Sequence, residues 1–227
     1  MRDFTIFQLT VFITLLFVIL ATIISCSNAQ KIEGMNWNPD QDYADHWLQV
    51  QKAENEGLTQ NAEDTVRKIY QKAKEDQNAP QVVKSLLHLW KYTTYKEENS
   101  QQKVMDAITK EIETAQEPLK SVLQNIQGNL YWQYYQQNRS KILNRTQIAD
   151  NKPDDFQTWD ANTLIAEVID LFQTSLKNKQ LLQETPIASF KDVLTQAKKS
   201  AEFRPTLYDL LAHNALDFFT NSQSSIT

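Results

Sequence analysis

The sequence predicts an all-α chain: antiparallel helical hairpins, stacked in a tetratricopeptide-like solenoid or a two-layer helical array, behind an export leader. Three observations carry that expectation. Apolar side chains recur at helical spacing through most of the chain, as in Val66, Ile69, Tyr70 and Ala73. Turn formers are scarce, with 3 glycines and 6 prolines in 227 residues, and a many-cornered β sandwich or barrel needs far more. The first thirty residues have the order of an export signal.

In that leader Arg2 precedes an apolar stretch from Phe4 to Ile24, followed by Ser25-Cys26-Ser27-Asn28-Ala29. Three processing outcomes fit. Ile23-Ile24-Ser25-Cys26 has the look of a lipobox, which would release residues 1–25 as a lipoprotein signal peptide and acylate Cys26 as the new N-terminus. Ser27-Asn28-Ala29 is a small-x-small cleavage site, and the apolar run approaches the ~20 residues that span a bilayer as an uncleaved anchor. The only cysteine of the chain favours lipidation, because it has no partner for a disulfide. All three outcomes put residues 31 onward outside the cytoplasm. The expected place is the cell envelope, as an outer membrane lipoprotein or in the periplasm, with the membrane as partner through the lipidated N-terminus.

Residues 26–42, with Gly34 and Pro39, read as a tether. A helix is expected over Tyr43 to Glu56, ended by Gly57, and another over 59–77. Pro80 suits the first turn of a helix over 80–96, where its missing N–H costs nothing, with Val83, Leu86, Leu87 and Trp90 on the buried face. Val104, Ile108, Ile112 and Ala115 mark a helix over 100–116, with Asn99 or Ser100 as cap. After Pro118 the stripe Leu119, Val122, Leu123, Ile126, Leu130 and Tyr134 runs toward Asn138. Asp160 caps a helix whose face is Ile165, Val168, Ile169, Phe172 and Leu176, and a less regular one covers Phe190 to Ser200. Pro205 opens the last, with Leu207, Leu210, Leu211, Ala215 and Phe218. Short joints make 59–77 and 80–96, and then 100–116 and 118–138, antiparallel neighbours. Residues 43–145 are thus a first helical layer and 146–221 a second, with 146–159 as the break and 222–227 as a polar tail.

Composition excludes several chemistries. A net charge of −5 argues against a nucleic-acid partner. The glycines are too few for a phosphate-cradling loop, and one cysteine cannot build a multi-cysteine metal site. No cofactor, metal or catalytic residue is expected. Asp209, His213 and Asp217 fall at i, i+4, i+8 and could serve a metal or a base, but read more simply as an exposed face of mutually favourable charges. His46 and His88 each stand alone, and Asp154, Asp155 and Asp160 suit turns and caps. Asn138-Arg139-Ser140 and Asn144-Arg145-Thr146 match the glycosylation pattern. Tyr131, Trp132, Tyr134 and Tyr135, with Arg139, form the densest aromatic patch and a candidate interaction surface for sugars or peptides. The competing reading is a helix–helix seam with tyrosine hydroxyls at its edge.

A run of strings is more specific. Trp132-Gln133-Tyr134-Tyr135-Gln136-Gln137-Asn138-Arg139, Ile142-Leu143-Asn144-Arg145-Thr146, Thr158-Trp159-Asp160 and the segment from Arg204-Pro205-Thr206 to Asp217-Phe218-Phe219 resemble the N-terminal helical region of large bacterial alpha-2-macroglobulin family proteins. The resemblance extends over about residues 45 to 220, more loosely before Trp132. It implies an exported protein, commonly a lipoprotein, of a family that traps or inhibits proteases. In that family the helical region precedes β-sandwich macroglobulin domains, a bait segment and, in many members, a Cys–Gln thioester. None of these lies in this sequence. The expectation is therefore a front end truncated before the macroglobulin domains: a non-enzymatic spacer or docking module at the membrane, with those domains, or a protease through them, as partners. The alternative is a stand-alone helical surface lipoprotein that binds a glycan or peptide. A hydrolase using Asp209 and His213 is a third class.

Overall fold

Helices make up nearly all the regular structure of residues 42–147, 152–194 and 200–224, which are those the computed structural model describes. The leader, Cys26 and nearly all of the tether lie outside them. The described residues belong to one compact unit, Pro39–Thr227.

Local chemistry sets the helix ends. Helix α1, Tyr43–Asn55, starts where the Asp42 carboxylate accepts the Asp45 N–H at 3.0 Å, and the chain turns at Gly57 with φ +73°, a conformation that favours glycine. Helix α2, Thr59–Glu75, leads through a tight turn to α3, Ala79–Lys96, where Asn78 caps Gln81 N and Pro80 sits in the first turn. Helix α4 is Ser100–Thr114; the expected Asn99 cap makes no side-chain bond there. Helix α5, Leu119–Leu143, runs past the expected end near Asn138. Helix α6, Ala161–Ser175, begins at Asp160, whose carboxylate accepts the Thr163 N–H at 2.9 Å.

The remainder departs from expectation. A short helix α7, Lys179–Glu184, precedes a 3-10 turn at Ile187–Phe190. The helix expected from Phe190 to Ser200 does not start at Phe190: that residue closes the 3-10 turn and 191–193 turn again, while 195–199 lie outside the described residues. Extended backbone takes over here. Ile187 N–H donates to Pro205 O and Leu207 N–H to Thr185 O, both at 2.9 Å, around the bridge between Pro186 and Thr206. Helix α8 is Ser200–Phe203 and α9 is Leu207–Phe219, the latter entered through a reciprocal Thr206–Asp209 capping box.

Side-chain bonds between helices fix their directions. Lys96, at the end of α3, donates to Gln60 (3.0 Å) and Glu63 (2.5 Å) near the start of α2, so the pair is antiparallel. Tyr43 at the start of α1 donates to Asp76 just past the end of α2. Trp47 meets Gln81, and Glu54 meets Lys91 and Tyr92, so α1 and α3 run the same way. Glu111 on α4 receives Tyr70 and Lys74 from the end of α2, giving those two a shared direction as well. Helices α5 and α6 are antiparallel: Asn125 reaches Ser175, and Arg145 donates to the Trp159 carbonyl.

One apolar core runs from Ala73 to Phe218, with Phe156 and Trp159 buried in it from the connection between α5 and α6. Gly128 lies where α5 faces α6; a Cβ there would stand 3.4 Å from Leu171 Cβ and 3.5 Å from the Phe172 ring. An alanine fits those distances and gains helix propensity, so Gly128→Ala is expected to change stability by less than about 1 kcal/mol. Gly128→Leu overfills the seam and costs about 1–3 kcal/mol. Thermal denaturation of the two variants reads the difference.

Candidate functional site

A cleft of about 550 Å³ opens beside α1 and α3. Gln81, Lys84 and His88 fall at i, i+3, i+7 on α3 and so share one face, toward Trp47 and Glu54 of α1. Asp192, from the turn after the 3-10 segment, adds a third wall. The Trp47 indole N–H donates to Gln81 Oε1 at 2.7 Å, and the Gln81 amide donates onward to Asp192 Oδ2 at 3.3 Å. The Lys84 ammonium lies 4.3 Å from the Trp47 ring centroid, a cation–π contact. The His88 ring is 4.8 Å from the Trp47 ring and tilted by 42°.

Charges in the cleft are perturbed in ways the geometry explains. Burial pushes the Lys84 ammonium below the usual lysine range, with Asp192 opposing the shift. Burial likewise lowers His88, and Glu54, whose Oε1 is 3.5 Å from Nδ1, pulls the other way. Burial tends to raise Glu54, but the hydrogen bonds from Tyr92 (2.6 Å) and Lys91 (3.1 Å) outweigh it and hold the carboxyl below its ordinary value. Among the described residues the buried His88 Nδ1 has no hydrogen-bond partner.

Acidification is therefore expected to weaken the fold in two stages. Below 6.5 the unfolded chain takes up the His88 proton more readily than the folded one does. Below 4.5 the same holds for Glu54 and Glu63, whose carboxylates are held low by their partners. Both stages lower the unfolding free energy as pH falls. Urea unfolding midpoints measured across this range check it, and His88→Gln removes the first stage.

The aromatic patch requires a correction. Tyr131, Trp132 and Tyr135 are 5%, 7% and 1% exposed, so they are core residues and not a docking face. Helices α6 and α9 and the segment around Phe156 cover them: Tyr131 meets Phe156 and Trp159, and Trp132 meets Tyr135 and Phe218. Tyr134 is half-buried and donates to the Gln157 carbonyl at 3.3 Å, while Arg139 is exposed. The patch is thus the helix seam of the competing reading, with one hydroxyl near its edge.

The other candidates are placed plainly. Asp209 is consumed by the capping box of α9. His213 Nε2 is 3.5 Å from the exposed Asp217 carboxylate and 2.6 Å from the Arg204 guanidinium. Among the described residues no group of three His, Cys, Asp or Glu side chains is arranged to hold a metal ion. Asp155 and Asp160 cap the turn at Phe156–Thr158 and α6. Asn138 and Asn144 donate to backbone carbonyls one turn earlier in α5, Tyr134 and Ser140. Cys26 lies outside the described residues. Nor is any described helix long and apolar enough to cross a membrane.

Trp47, Lys84 and Asp192 were not signalled by any motif. The usable hint was local: Lys84 and His88 are polar residues at helical spacing beside the stripe of α3. Comparison with protein-family models, curated proteins and solved structures finds no match for the chain.

Proposed function

We propose that the chain is a non-enzymatic helical module, held at the cell envelope as a spacer or docking region of an alpha-2-macroglobulin-like protease inhibitor. One observation carries the reading. Strings that bear the family resemblance pack against one another: Trp132 lies 5.0 Å from Phe218, and Arg145 donates to the Trp159 carbonyl. The resembling strings are thus neighbours in the fold, which supports reading them as one unit. Carboxylates add to it, since Glu54, Glu63 and Glu111 are spent as clasps between helices or within one.

In this reading the helical hairpins stack as a tetratricopeptide-like array. The shared directions of α1 with α3, and of α2 with α4, are those that stacked hairpins produce. The anchor is a lipid on Cys26. The buried rings of α5 take away the surface on which glycan binding through Trp132 would rest.

The genomic locus tests the family assignment. A macroglobulin-type reading frame continuous with this one, or beside it, supports the assignment, and a locus without one overturns it. Cell fractionation tests the anchor: Cys26→Ser is expected to move the protein from membrane to soluble fractions. Unchanged retention would leave the apolar run itself as the anchor.

A further inference from the structure

We infer that the cleft beside α1 and α3 is a binding site for a carboxylate carried on an apolar body, of the kind presented by a peptide C-terminus, with Lys84 as the charge that receives it. The inference is independent of the envelope reading.

Among the described residues Lys84 has no carboxylate within ion-pair distance. Its ammonium is half-buried on α3, and its contact is the π face of Trp47 at 4.3 Å. Two acids nonetheless line the same cleft. Neither sits on the ammonium, although Asp192 acts on it from farther off. Glu54 accepts from Lys91 and Tyr92, and Asp192 accepts from Gln81. A partly buried cation whose nearest counter-charge acts only from a distance gains from an anion seated directly on it.

The rest of the cleft selects what the anion is attached to. Ala44, Leu48 and Val50 of α1 line it together with the Trp47 ring, and Leu48 is 62% exposed at its rim. Val50 belongs to the core, but Ala44 and Leu48 are exposed apolar surface with no use in the described fold. Gln51, also lining the cleft, offers an amide to a peptide group. Lys84 already covers the Trp47 ring, which argues against sugar stacking there. A mainly apolar concavity with a few convergent polar groups is the usual form of a small-ligand site.

The test uses N-acetyl-leucine, its uncharged analogue N-acetyl-leucinamide and inorganic phosphate, each titrated into the full chain. The readout is the Trp47 indole N–H resonance, assigned with Trp47→Phe. N-acetyl-leucine is expected to shift it saturably and the amide to bind at least tenfold more weakly. Lys84→Gln should lose that binding by a similar factor, and Lys84→Arg should keep it, with circular dichroism and melting temperature confirming that both variants fold. Equal binding of acid and amide would overturn the inference, as would phosphate binding as tight as N-acetyl-leucine, unchanged binding by Lys84→Gln, or no shift with any of the three.

Discussion

Phe218→Ala is expected to lower the unfolding free energy by about 3–5 kcal/mol, the largest effect of any single truncation considered for this chain. Phe218 is 1% exposed and stands where three elements meet. Its ring is 5.0 Å from Trp132 of α5, edge to face, and 5.4 Å from Phe172 of α6. Removing it takes away the transfer free energy of a buried ring and opens a cavity between large, rigid neighbours. Those neighbours are themselves buried, with Phe172 at 0% and Trp132 at 7% exposure, so the void has little room to collapse. Phe219, the next residue, supplies the control. It is 46% exposed, and Phe219→Ala should cost under about 1 kcal/mol. Urea denaturation of both variants gives the comparison, and equal losses would show that α9 is not seated by Phe218.

Asn125→Ala is the second large effect, at about 3 kcal/mol, and its origin is polar. Asn125 is 1% exposed in the middle of α5. Its amide nitrogen donates to Ser175 Oγ at 3.3 Å and to the Leu211 carbonyl at 3.1 Å. Its amide oxygen accepts from Asn129 at 3.3 Å and from Asn214 at 2.8 Å. One side chain thus joins α5, α6 and α9. Truncation strips the buried Leu211 carbonyl of its second bond and the half-buried Asn214 amide of its partner. Asn214→Ala removes only one of these contacts and should cost less. The double variant should cost less than the sum of the two singles, because the groups share a bond.

Helix positions were legible in the sequence to the extent that each helix buries one stripe. Val66, Ile69 and Ala73 are all fully buried in α2, and the caps at Asp160 and the proline of α3 sit where the spacing puts them. Legibility failed where burial thins out. After Tyr135 only Ile142 of α5 is buried, so no periodic stripe marks how far the helix extends past Asn138. It failed again around Phe190, where apolar residues that suit a helix instead plug the core from a 3-10 turn held by Pro186 and Pro205. The cleft was legible only as polar residues beside the stripe of α3. Its polar chain joins Gln81 to Asp192 across 111 positions, and a periodic pattern says which face of a helix is covered without saying by what. The aromatic patch shows the converse: density of rings in a sequence cannot distinguish an exposed platform from a packed seam.

The polar side chains buried along α5 have a mechanical consequence. A slip of one turn, about 5.4 Å, returns a helix's side chains to similar positions, so aliphatic packing opposes it mainly on the way. Here such a slip would strip Asn125 of its bonds to α6 and α9, and Gln127 of its 2.7 Å bond to Thr109 on α4, all in the same movement. Under tension the bundle should therefore hold its alignment up to a threshold and then give way abruptly, with little gradual stretching before it.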